Sequence, residues 1–170
     1  MNEFTDKNAA LARAGGRLRF FVRAAIIGAA YAALTMALAP LSYGPVQLRV
    51  SEALTVLPYF TPAAIPGLFV GCLVSNLLSP YGIVDVVCGS LATLLAACGT
   101  FLLRKRRALA PLPPVLCNAV IIGAMLYFAY GVNASLPANM LWVGAGELIV
   151  CYGAGYPLLR VLESRKSLFQ

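Results

Sequence analysis

Few side chains in this sequence could do polar chemistry, and most of those stand inside apolar surroundings. Arg49 and Glu52 lie three residues apart in "QLRVSEALTVLPYF" (47–60), Asp85 follows "SPYGIV", and Glu147 sits within "LWVGAGELIVCYGAG" (141–155). Gln47, Asn76 and Asn139 add amides, and Tyr127 and Trp142 add rings. Carboxylates accept paired N–H donors, guanidinium and amides supply complementary groups, and flat rings stack. Such a set suits the binding of a small polar molecule. Glu147 is the strongest candidate. An acidic group at membrane depth costs about 2.5–3.5 kcal/mol or more, so it faces a bundle interior and serves a ligand or pathway.

Several reactions lack their residues. The chain has no His, which removes Ser–His catalysis, His-ligated metals and histidine proton relays. Its five cysteines (Cys72, Cys88, Cys98, Cys117, Cys151) fall in apolar segments without CxxC spacing. They read as small buried residues, not metal ligands or disulfides. No GxxxxGK[ST] loop occurs, so ATP hydrolysis is not expected of this chain. The expectation is a non-enzymatic binding or transport bundle, energised by an ion gradient or a partner.

The elements that must position these groups are membrane helices. The 170 residues are 61% hydrophobic and 11% charged, against about 25% charged in soluble chains; the mean hydropathy is +0.83. Apolar stretches recur at 24–41, 63–78, 83–103, 112–130 and 136–162, each near or above the roughly 17–25 residues of a transmembrane helix. A signal peptide would explain only the first.

Of 13 Lys and Arg, five precede the first stretch (Lys7, Arg13, Arg17, Arg19, Arg23), four form Arg104–Arg107, and three close the chain (Arg160, Arg165, Lys166). Basic clusters beside membrane segments mark cytoplasmic ends, so the +7 net charge does not imply nucleic acid. Three cytoplasmic clusters require an even number of crossings between each pair. Only three clear crossings separate Arg23 from Arg104, so residues 46–61 must supply the fourth, although Pro58 breaks or ends a helix there. Ser51 is its candidate N-cap.

The expected fold is therefore all-α and integral to the membrane, a six-helix bundle with a short, broken second helix and both termini cytoplasmic. Its boundaries are a cytoplasmic segment 1–22, a membrane domain 23–162 with spans near 23–40, 46–61, 62–79, 82–103, 112–131 and 136–160, and a tail 163–170. This topology gathers Arg49, Glu52, Asn76, Asp85, Tyr127, Asn139 and Trp142 towards the outer side, with Glu147 near mid-depth. Asn118 falls on the inner part of helix five and reads as an interhelical hydrogen-bond partner. On helix six Asn139 and Trp142 share a face, whereas Glu147 lies about 140° from Trp142, so joint contact needs a distortion at Gly144 or Gly146. Ala25, Ala29 and Ala33, with Gly28 and Ala32 beside them, form a small-residue stripe that lets another helix approach, in this chain or in a separate subunit.

Residues 42–97, "SYGPVQLRVSEALTVLPYFTPAAIPGLFVGCLVSNLLSPYGIVDVVCGSLATLLAA", and the flanking "AAIIGAAYAALT" resemble the QueT family of queuosine-precursor transporters. The resemblance runs from about Arg23 to Leu159 and is less distinctive in the last two helices. It implies a substrate-binding (S) component of an energy-coupling factor (ECF) transporter that captures a 7-deazaguanine, aminomethyl or cyano, from outside. It further implies docking, through an AxxxA motif mapped onto Ala25 and Ala29, on a transmembrane coupling subunit (EcfT) with two cytoplasmic ATPases. ATP would be used by those partners, with no cofactor in this chain. Glu147 or Glu52 would take the guanine-type edge, and the other carboxylate or Asp85 an aminomethyl cation. Asn76, Asn139, Gln47 or Arg49 would read the carbonyl and ring nitrogen, and Trp142 or Tyr127 would stack. The competing reading is a stand-alone proton-coupled carrier for a small polar metabolite or nucleobase.

Overall fold

The computed structural model describes residues 2–43, 48–131 and 135–165, with side chains from residue 14 onward. All regular elements among them are helical. They are α1 (Asn2–Ala37), a short α2 (Ala39–Ser42), a 3₁₀ segment (Val50–Tyr59), α3 (Ala64–Asn76), α4 (Gly82–Leu102), α5 (Leu112–Tyr130), α6 (Leu136–Val150) and α7 (Tyr156–Glu163). A π-helical turn, Cys151–Gly155, joins α6 to α7. Among the described residues, Ala14–Ala37, Gly82–Leu102 and Arg107–Tyr130 are long and apolar enough to cross a membrane, and Ala64–Asn76 is a shorter apolar helix.

Local sequence sets the boundaries. Proline occupies the first turns of α5 and α6, where its missing N–H costs nothing. Gly131, with φ 57°, caps the C-terminus of α5 in the left-handed conformation, which glycine adopts without a Cβ clash. α1 runs unbroken through residues 22 and 23 and stops at Ala37, not at residue 40.

The stretch after Arg49 is not an α-helix broken at Pro58. It is ten residues of continuous 3₁₀ helix with Pro58 inside. Proline in an α-helix collides with the carbonyl four residues back, and the tighter i to i+3 ladder avoids that register. At about 2.0 Å per residue the segment is about 20 Å long, short of the roughly 30 Å hydrocarbon core. Ser51, Glu52, Ala53 and Thr55–Pro58 are all buried, so its weaker backbone geometry is enclosed by protein and not by lipid. Ser51 is not its cap. The chain enters from an extended Arg49 without a side-chain cap, and the Ser51 and Thr35 hydroxyls pair at 2.7 Å.

Small-residue contacts hold α1 on α3. A Cβ added to Gly28 would stand 2.8 Å from the Gly67 carbonyl oxygen, and one on Gly67 would stand 2.6 Å from that of Ala24. Tyr31, Leu57, Ala64, Leu68, Cys72 and Ala97 close the core beside this contact. A second core, Ala92, Ile122, Met125, Leu126 and Val143, joins α4, α5 and α6. Contacts through the 3₁₀ segment and Glu163 link the start of α1, the residues before α5 and the end of α7. Arg19, Arg23 and Phe60 line a common pocket, the neighbouring Tyr59 hydroxyl donates to Glu163 at 3.2 Å, and Arg107 pairs with Glu163 at 3.7 Å.

Candidate ligand-binding site

The 3₁₀ segment carries Arg49 and Glu52 into the middle of the bundle, where both are buried. The two do not pair with each other; they face different helices. Arg49 Nη2 bridges both oxygens of Asp85 on α4, at 3.1 and 3.2 Å. This is a one-nitrogen bridge, not the two-pronged fork of which a guanidinium is capable. Nε is left without a partner, and Nη1 reaches only the Cys72 sulfur at 3.9 Å. Asn76 at the end of α3 steadies the pair from behind, its Nδ2 donating to the Asp85 carbonyl at 3.0 Å. Gly89 leaves room for this crossing, because a Cβ there would collide with the Asn76 amide.

Glu52 turns towards α1, α4 and α5. The Tyr31 hydroxyl donates to its Oε1, the Thr93 hydroxyl lies 3.5 Å from the same oxygen, and Oε2 has no partner. Glu147 on α6 is buried and accepts from the Cys151 thiol at 3.5 Å. The Asn118 side chain stands beside both carboxyls, yet its Nδ2 has no hydrogen-bond partner. Neither do Asn139 Nδ2 and Ser90 Oγ. Three buried carboxyls thus face one guanidinium.

This arrangement is suited to receiving a polar molecule. A buried polar group left unsatisfied costs about 1–3 kcal/mol, and Asn118, which carries such a group, lies beside both Glu52 and Glu147. Asn118 Nδ2 and Arg49 Nε are donors without a partner, and Glu52 Oε2 is an acceptor without one. A family profile described as the QueT transporter matches residues 21–164. The chain belongs to the QueT transporter family. That family is described as one of transporters, and three of the described helices are long and apolar enough to cross a membrane. Over 75 residues it is 45% identical to the queuosine precursor transporter QueT of Lactococcus lactis subsp. cremoris (strain MG1363), a match covering 43% of this chain and 44% of that protein. The chain therefore matches less than half the length of that relative. No solved structure matches it.

For this QueT-family chain, Arg49, Glu52, Asn76, Asp85, Asn139 and Glu147 are all buried. Trp142 and Tyr127 are not brought to them. Trp142 is 62% exposed and Tyr127 is 40% exposed, with the Tyr127 ring edge-on to Phe128. On α6, Asn139 shares its buried face with Val143, Gly146, Glu147 and Val150, so its facial partner is Glu147 eight residues on and not Trp142. No distortion at Gly144 or Gly146 is needed, since α6 stays regular to Val150 and the irregular turn follows it. Gln47 lies outside the described residues. Tyr31, Thr93, Cys72 and Asn118 were not among the expected site residues. Asn118 carried a signal, as an amide in an apolar helix. Tyr31 was hidden in the alanine stripe of α1.

That stripe divides between two faces. Gly28 and Ala32 are buried, with Gly28 packed on Gly67 and Gly71 of this same chain, while Ala25, Ala29 and Ala33 are exposed.

Proposed function

We propose that this chain is the substrate-binding S component of an ECF-type transporter, a six-span bundle with both termini cytoplasmic that captures a 7-deazaguanine precursor of queuosine. The observation that carries the reading is the buried pair Glu52 and Glu147 with Asn118 beside both. A guanine-type edge presents an N–H and an exocyclic amine side by side, and one carboxylate accepts both, a contact worth about 1–3 kcal/mol of discrimination. The second carboxylate meets an aminomethyl ammonium. The excess of buried carboxyls over guanidinium favours this cationic form over the cyano form. Asn118, Asn139 and Arg49 Nε are the donors that remain for the ring carbonyl and nitrogen.

Two features support a partner-driven mechanism. The sequence has no phosphate-binding loop, and Ala25, Ala29 and Ala33 offer a small-residue face that a transmembrane coupling subunit could approach closely. Two ATPases would then supply the energy. The nearby carboxyls would equally serve a stand-alone proton-coupled carrier, and reconstitution separates the two. An S component co-purifies with ATPase subunits and transports nothing without them, whereas a carrier works alone under a proton gradient.

Binding is tested by calorimetry on the purified chain with aminomethyl- and cyano-deazaguanine and guanine. The aminomethyl compound should bind tightest, and Glu147→Gln should weaken it. The assignment fails if none of the three binds, or if Glu52→Gln and Glu147→Gln both bind as tightly as the parent.

A further inference from the structure

Glu52 and Glu147 are both buried, but the protein holds them in different ways. The Glu52 backbone is tied on both sides: its N–H donates to the Arg49 carbonyl at 3.0 Å, and its carbonyl accepts the Thr55 hydroxyl at 2.5 Å. The side chain is tied as well. The Tyr31 hydroxyl donates to Oε1, and the Tyr31 ring is fully enclosed in the core with Leu57, Leu68, Cys72 and Ala97. A Cβ at Gly71 would stand 3.0 Å from the Tyr31 Cβ, so the α1–α3 contact fixes the base of that ring. Thr93 Oγ1 lies 3.5 Å from the same Glu52 oxygen, but its one proton has a nearer acceptor in the Cys72 sulfur at 3.2 Å. Glu147 has a looser hold. Its donor is the Cys151 thiol, 3.5 Å from Oε2, a weak donor that also faces the Glu52 carbonyl at 3.8 Å. One thiol proton serves two acceptors.

The two holds suit two different partners. A planar edge with adjacent N–H donors needs both oxygens of a carboxylate kept in one plane. Tyr31 takes one of the about four lone-pair sites of a carboxylate, which leaves a site on Glu52 Oε1 and the whole of Oε2, an atom without a partner. An ammonium is a compact point charge with rotatable donors, and it tolerates a carboxylate whose plane is not fixed. Arg49 favours the same division. It stands three residues before Glu52, so an incoming cation is better placed at Glu147, on another helix. Along the rim of an aminomethyl-deazaguanine the exocyclic amine, ring N–H, ring carbonyl and aminomethyl group follow in that order. A carboxylate, an amide donor and a second carboxylate match it, and Asn118, its Nδ2 unpartnered, lies beside both glutamates.

Resting on the reading of this chain as a deazaguanine binder, we propose that Glu52, held in plane by Tyr31, reads the guanine-type edge and that Glu147 takes the aminomethyl ammonium. Tyr31 is then a positioning residue that sets specificity through Glu52.

Titration calorimetry on the purified full-length chain separates the roles with three ligands: aminomethyl-deazaguanine, cyano-deazaguanine, and the aminomethyl compound without its exocyclic amine. The ratio of the first affinity to the second reports the ammonium, and the ratio of the first to the third reports the edge. Each ratio compares ligands on one and the same protein, so a lowered folded fraction cancels. Glu52→Gln should reduce the edge ratio by about tenfold and keep the ammonium ratio. Glu147→Gln should do the reverse. Tyr31→Phe, which removes only the hydroxyl, should reduce the edge ratio by about fivefold and leave the ammonium ratio unchanged. If Tyr31→Phe weakens all three ligands alike, or none, Tyr31 does not position Glu52 and the proposal falls. If the two glutamates exchange ratios, or one governs both, the assignment is wrong while the deazaguanine reading stands. Failure of the parent chain to bind any of the three would sink both.

Discussion

The polar interior has two regions, and they treat buried charge in opposite ways. Where the 3₁₀ segment meets α3 and α4, charge is answered by charge: Arg49 bridges Asp85 and Asn76 holds the Asp85 backbone. Where it meets α5 and α6, Glu52 and Glu147 lie beside an unpartnered amide. Neither Glu52 nor Glu147 takes part in the Arg49–Asp85 pair. A folded chain leaves few buried groups unsatisfied. Paired charge here fixes the position of the 3₁₀ segment, and unpaired polarity is what the proposed ligand would satisfy. Burial beside the 3₁₀ segment is thus a poorer guide to ligand contact than the state of each hydrogen bond.

The largest effect should come from breaking the satisfied region. Asp85→Ala leaves Arg49 buried without its counter-charge, a loss of about 3–5 kcal/mol that thermal melting of the purified protein would show. The double variant Arg49→Met/Asp85→Leu should recover most of it, because no charge then remains stranded. If Asp85→Ala melts no lower than Glu147→Gln, the two regions do not differ as described.

The unsatisfied region should behave in reverse. Glu147→Gln is expected to weaken deazaguanine binding by about 1–3 kcal/mol, read by titration calorimetry. The ligand-free protein should melt at the same temperature or higher, since a neutral amide relieves one buried acid near another. Asn118→Leu sharpens the point. It deletes a donor that has no hydrogen-bond partner within the protein, so ligand-free stability should stay within about 0.5 kcal/mol while affinity falls. A large loss of stability on Asn118→Leu would mean that its amide is structural.

How much of this could be read in advance follows from the physics of each segment. The apolar runs that became α4 and α5 end at 102 and 130, one residue inside the expected 103 and 131, because Gly82, Gly131 and flanking prolines punctuate them. Pro58 announced an irregularity after Arg49 but not its form, since side-chain pattern does not say whether a short buried segment closes i+3 or i+4 rings. Glu147 stood out because a carboxyl in an apolar run is costly on any facing but inward. Asn118 was assigned by depth to the opposite end from Glu52. The enclosed 3₁₀ segment carries Glu52 inward to meet it, a displacement that no count of crossings contains.

Trp142 marks the limit of pattern reading in lipid and gives the smallest predicted effect. In water a tryptophan on a helix face argues for burial. In a membrane the hydrocarbon outside is as apolar as the protein inside, so hydrophobicity no longer distinguishes the two faces. Small and polar residues do, and on α6 they choose the face of Asn139, Gly146 and Glu147. Trp142→Ala should therefore leave ligand affinity within about twofold, since surface changes away from a site stay within about 0.5 kcal/mol. A tenfold loss in the same titration would place the indole over the ligand and require α6 to turn on binding. The receptive region would then be assembled by the ligand and not held ready in its absence.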